Sequence, residues 1–116
     1  MDEESYYFRV RYKKLNTQCR LSNGMRPDIK FEVDSDNKYV FALYPEFETL
    51  SEDSIVGDVW EALNEGTVII RKPVFDDNNG YYEMIRERVK IGAKAYFVGG
   101  SERVAELTII EIINKI

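Results

Sequence analysis

The twelve residues from Ser22 to Val33, SNGMRPDIKFEV, constrain the fold more than any other part of the chain. Asn23-Gly24 readily takes positive φ, and Pro27 fixes its own φ while pushing Arg26 toward an extended conformation. The chain is therefore turned and relaunched. After the proline, Ile29, Phe31 and Val33 fall on one face and Lys30 and Glu32 on the other, the period-two alternation of a half-buried strand. Tyr6 to Tyr12 alternates in the same way, with Phe8, Val10 and Tyr12 opposed to Tyr7, Arg9 and Arg11. Residues 1–5 read as a frayed acidic lead, and Lys13 to Arg20 as a polar loop entering the central turn.

Downstream, Asp34 to Lys38 is a turn cluster that joins Ile29–Val33 to Tyr39–Tyr44 as a predicted antiparallel hairpin. YVFALY is apolar on both faces, so Tyr39, Phe41 and Leu43 or the alternate set Val40, Ala42 and Tyr44 must lie outside. Whichever set is outward is a candidate protein-contact surface, with Tyr39, Phe41 and Leu43 the first choice and a homodimer the simplest occupant. Glu46 to Glu65 is ambiguous. Leu50, Val56, Trp60 and Leu63 could line a short helix closed by Gly66, or Gly57-Asp58 could be a turn before another strand; the segment is read as irregular with a possible helical turn.

Thr67 to Arg71 is a short β-branched strand stopped by Pro73. DDNNG, Asp76 to Gly80, is a loop, after which Tyr82, Ile85 and Val89 recur at helical spacing for one or two turns. Ala93 to Val98 reads as a strand and Gly99 to Glu102 as a tight connection. Val104 to Ile116 is the closing strand, because five isoleucines between Ile109 and Ile116 outweigh a helical period at Leu107, Ile110 and Ile113. About six strands with little helix make a small antiparallel β-barrel or sandwich.

The chain has 116 residues, 44% hydrophobic and 32% charged, which suits one globular domain over 1–116 with a core of its own. No run is long enough to cross a bilayer as a helix, and MDEESYYFRV is acidic where a secretory signal is basic and then apolar, so a cytoplasmic location is expected. One cysteine, Cys19, forms no intramolecular disulfide. The chain contains no histidine, which removes the usual general base and the commonest metal ligand together. No catalytic residue, cofactor or metal is assigned, and no enzymatic role is expected. Asp76 to Asn79 misses calcium-loop spacing, since Phe75 stands at the first ligand position. Glu46, Glu48, Glu52 and Asp53 read as a solvated acidic loop rather than paired catalytic carboxylates.

Gly24, Arg26-Pro27 and the strand after them resemble the third, C-terminal domain of elongation factor Tu, in which a Gly-aromatic-Arg-Pro run enters a strand; Met25 stands in place of the aromatic. IGAKAYFVGGSERVAELTIIEI, Ile91 to Ile112, is similar to that family's closing block, and Gly57-Asp58 to its Gly-Asp turn, in the same order along the chain. The resemblance implies a six-stranded antiparallel β-barrel standing alone as a binding module. It also implies a contact with the T-stem of aminoacyl-tRNA or with a protein partner. No GxxxxGK[ST] phosphate loop occurs, so nucleotide hydrolysis is not implied. In the Gly-Gly turn the family carries a basic residue; here Glu102 takes that place, with Arg103 beside it.

Arg9, Arg11, Lys13 and Lys14, interleaved with Tyr6, Tyr7 and Tyr12, form the one nucleic-acid-like patch, to which Arg26 and Arg103 are added as possible RNA contacts. A net charge of −5 works against that use, and a solvated strand face is the simpler reading. Arg26 is more simply a loop-locking residue. The expected function is thus a non-catalytic module contacting a protein partner, the alternative an RNA-contacting accessory domain related to translation.

Overall fold

The computed structural model describes residues 3–73 and 80–116. The molecule is mostly β, built on a six-stranded antiparallel sheet curled into a half-barrel. Its central strand is β1 (Tyr6–Lys14), flanked by β8 (Glu102–Ile112) and β6 (Glu65–Arg71). Beyond β8 lie β7 (Lys94–Gly99) and β2 (Asp28–Phe31), and beyond β6 lies β3 (Pro45–Phe47). Two further strands, β4 (Leu50–Val56) and β5 (Val59–Ala62), form a separate hairpin, and among the described residues one α-helix, α1 (Tyr81–Arg88), joins them.

Alternation builds the core. Phe8, Val10 and Tyr12 of β1, Ile29 and Phe31 of β2, Val68 and Ile70 of β6, Phe97 of β7 and Leu107 and Ile109 of β8 are all buried in one cluster. Each apolar side chain of this size contributes roughly 1.5–3 kcal/mol on full burial, so the alternating set dominates the stability of the sheet. The central turn behaves as the sequence requires: Gly24 has φ 95°. Asn23 goes further than turning the chain. Its amide caps the outer sheet edge, with Oδ1 accepting from Phe47 N at 2.5 Å and Nδ2 donating to Phe47 O at 3.3 Å.

Residues 39–44 do not form a regular strand, which corrects the predicted hairpin with Ile29–Val33. A 3-10 turn at Glu32–Asp34 ends β2 early, exposing Val33. Only Phe41 pairs with β2, exchanging both backbone hydrogen bonds with Ile29 at 2.8 and 2.9 Å. Three residues later Arg71 N donates to Tyr44 O, and Pro45 begins β3 against β6. This segment thus runs from one edge of the sheet to the other and closes the half-barrel. Such a path carries Phe41 and Leu43 inward, each 1% exposed, and Val40 and Ala42 outward. Phe41 and Leu43 are core residues, and the outward register is the alternate one.

The 46–65 region contains no helix. Gly57 takes φ 62° and Val56 pairs with Val59, so Gly57-Asp58 turns a hairpin. Helix α1 includes the predicted Tyr82 and Ile85, while Val89 follows as its C-cap. It packs Ile85 into the core cluster, with Tyr81 5.5 Å from Phe41. Its last turn is tied down by Arg88, which donates to the buried Asp34 at 2.6 and 2.8 Å. Tyr7, expected on the outer face, is buried beneath this helix and the C-terminal tail, and burial pushes its hydroxyl up to about 12. The Asp76–Asn79 loop lies outside the described residues.

Candidate functional site

Five of the large apolar side chains exposed among the described residues lie on the β4–β5 hairpin or directly after it. Ile55 and Trp60 are cross-strand partners, 51% and 45% exposed, and Leu50, Val59 and Leu63 are exposed too. The alternation is interrupted because Leu50 to Ile55 spans five steps opposite two from Trp60 to Ala62. Ser51 holds the resulting bulge: its Oγ accepts from Asp53 N at 3.2 Å and Ser54 N at 3.1 Å and donates to Asp53 Oδ1 at 2.9 Å.

Glu61 anchors the hairpin to the barrel. It accepts from Ser54 Oγ at 2.7 Å and Arg20 Nε at 3.3 Å, and Lys14 Nζ lies 3.8 Å away. The Ser54 hydrogen bond, followed by those cations, holds its carboxyl below the usual range. Ala62 N donates to Leu21 O at 2.7 Å, which attaches β5 to the segment before the central turn, and the Arg20 side chain reaches β4, donating to Ile55 O at 2.8 Å. Among the described residues no strand pairs with the outer edge of β4.

Charge is concentrated here. Residues 46–65 hold seven acids and no Lys or Arg, whereas the rest of the chain holds 14 acids and 16 bases. Glu48 is neutralised by Arg9 at 2.8 Å, Glu46 accepts the Tyr6 hydroxyl and Glu61 has the partners above. Glu52, Asp53, Asp58 and Glu65 remain exposed without a cation within salt-bridge distance among the described residues. The hairpin thus carries exposed apolar side chains together with the exposed carboxylates of Glu52, Asp53 and Asp58.

The six basic residues named from sequence do not come together. Lys14 is corrected outright: it continues the inward face of β1 after Tyr12, is buried, and its ammonium donates to Ala62 O at 3.4 Å beside Glu61. Arg9 bonds Glu48 and Glu111, which raise its pKa further, Glu48 foremost. Arg26 lies 4.6 Å over the Tyr44 ring and Arg103 4.0 Å over Tyr96. Arg11 and Lys13 face solvent on the sheet, in a groove shared with Lys94, Glu65 and Glu106. Tyr7 and Tyr12 are buried, so the interleaved rings needed for base stacking are not presented. Tyr39 is exposed, but Phe41 and Leu43 are not available to a partner.

The hairpin residues Ile55, Val59, Trp60 and Leu63 were missed as a surface. Their signal was the Gly-Asp pair centred between Ile55-Val56 and Val59-Trp60, together with the absence of any cation over twenty residues. Among the described residues no group of three His, Cys, Asp or Glu side chains could hold a metal ion, and no helix is long and apolar enough to cross a membrane. No family model, curated protein or solved structure matches this chain.

Proposed function

We propose that this chain is a non-catalytic binding module, a barrel of the elongation factor Tu C-terminal kind, that captures a basic, extended protein segment on the β4–β5 hairpin. The observation that carries the reading is the exposed Ile55–Trp60 pair on a hairpin that also bears Glu52, Asp53 and Asp58, none with a cation in salt-bridge distance among the described residues, and whose β4 edge pairs with no described strand. An apolar anchor needs a water-excluding contact, an open strand edge accepts an added strand, and the acidic side chains select a cationic partner. A second copy of the same surface brings carboxylates against carboxylates, so self-association through it is disfavoured.

Trp60 is the one tryptophan, so its fluorescence reports on the site directly. A peptide alternating Lys and Val should shift the Trp60 emission to the blue and bind less tightly as salt rises; one alternating Glu and Val should do neither. Ile55→Glu should weaken the response about tenfold or more, while Ala42→Glu, on the barrel's outer wall, should leave it unchanged. Equal responses to both peptides would sink the reading. A short RNA in the same titration, followed by NMR, tests the alternative accessory role in translation; that role requires shifts at Arg11 and Lys13.

A further inference from the structure

On another part of the surface, Arg26, Arg71 and Lys72 converge on a pocket of about 410 Å³ beside Tyr44, and we infer that it is a binding site for the phosphate group of a small phosphorylated molecule. The site is held from three directions. Arg71 stands at the end of β6 with its amide bonded to Tyr44 O at 2.9 Å. Lys72 follows, its amide bonded to Ser5 O at 2.8 Å. Arg26 arrives from the central turn, where Gly24 and Pro27 fix the backbone on either side, and its guanidinium rests on the Tyr44 ring. Stacking occupies the flat face of a guanidinium and leaves the N–H groups at its edge free to donate.

None of these three cations has a carboxylate within salt-bridge distance among the described residues. Glu46 lines an adjoining cleft with Arg26 and Arg71, and its carboxylate accepts the Tyr6 hydroxyl. Three like charges lining one pocket repel one another until an anion enters. The number of donors selects the ligand. One arginine fork satisfies a carboxylate, whereas a phosphate monoester presents three terminal oxygens and nearly two negative charges. The volume lies within the small-molecule range of about 300–1,000 Å³.

The test is an amide-resolved NMR titration of the full chain at constant ionic strength with inorganic phosphate, phenyl phosphate and acetate. Phosphate and phenyl phosphate should give saturable shifts centred on Tyr44, Arg71 and Lys72, with acetate about tenfold weaker or worse. Arg71→Gln and Arg26→Gln should each weaken phenyl phosphate about tenfold, and Lys13→Gln on the open sheet face should change nothing. A Lys72→Gln variant, altered beyond the end of β6, repeats the measurement should either arginine variant lose its native spectrum. Shifts that never saturate, that centre elsewhere, or that persist in the charge-removed variants overturn the site. A short RNA that binds the same residues about a hundredfold tighter than phenyl phosphate overturns the small-molecule assignment.

Discussion

Gly24 and Gly66 sit at positions a side chain would disturb for different reasons. Gly24, φ 95°, has open space where a Cβ would go, so a substitution there meets backbone strain alone. Gly24→Val should cost roughly 1–3 kcal/mol, read as a lower urea midpoint, because a β-branched residue tolerates positive φ poorly. At Gly66 a Cβ would fall 1.8 Å from Thr49 Oγ1 and 2.5 Å from Thr49 Cβ. Thr49 Oγ1 also bonds the Tyr12 hydroxyl at 3.2 Å, so Gly66→Ala should displace that contact and cost about 1–3 kcal/mol. Asp34 is the third sensitive position. Hydrogen bonds from Arg88, and then Asn37, hold its carboxyl below the usual range despite its burial. A depressed folded pKa contributes stability that is present above the unfolded value, near 3.9, and lost as pH falls through the lower folded value. Asp34→Asn should therefore flatten the acid limb of the stability profile below about pH 4, measured by urea melts at successive pH values.

The alternation over 8–12 and 29–31 could be read from sequence because each stretch buries one face against the same cluster, whereas the bulge between Tyr6 and Phe8, which turns Tyr7 inward as well, has no local signature. The hairpin could not be read that way. Its bulge at Ser51–Ser54 breaks the period of two, and Leu50, Val56, Trp60 and Leu63 then happen to fall near helical spacing. The 39–44 segment was half legible: its apolar character was evident, but which face turned inward depended on a closure across the sheet that no local pattern encodes. Lys14 misled for a similar reason, since a lysine at the end of an inward face reaches a carbonyl only once β5 is in place. These placements reverse what acidic substitutions should do. Phe41→Glu buries a carboxylate among Phe31, Tyr81 and the Arg88 guanidinium and should destabilise by about 3 kcal/mol or more, whereas Ala42→Glu, facing water, should stay within about 0.5 kcal/mol. Thermal melts of the two variants side by side decide between a core and a surface role for Phe41.

Across the whole molecule the net charge of −5 conceals a polarity: 46–65 contributes −7, and the remainder is +2. Electrostatic association follows local fields more than net charge, so an acidic protein of this kind can still present a cationic pocket on one part of its surface and a cation-seeking hairpin on another. The same polarity governs self-association. The exposed side chains of Trp60 and Ile55 would ordinarily drive two copies together, since exposed apolar patches are sticky. Pairing the hairpins, however, brings Glu52, Asp53 and Asp58 of each copy into one interface, at separations where screening within a Debye length of about 8 Å leaves much of the repulsion intact. The chain should accordingly run as a monomer by light scattering at physiological salt and neutral pH. Raising salt toward 1 M, where the Debye length falls to about 3 Å, should favour a weak dimer that Trp60→Glu abolishes. A tight dimer at low salt that survives Trp60→Glu would place self-association on another surface and remove charge repulsion at the hairpin as its control.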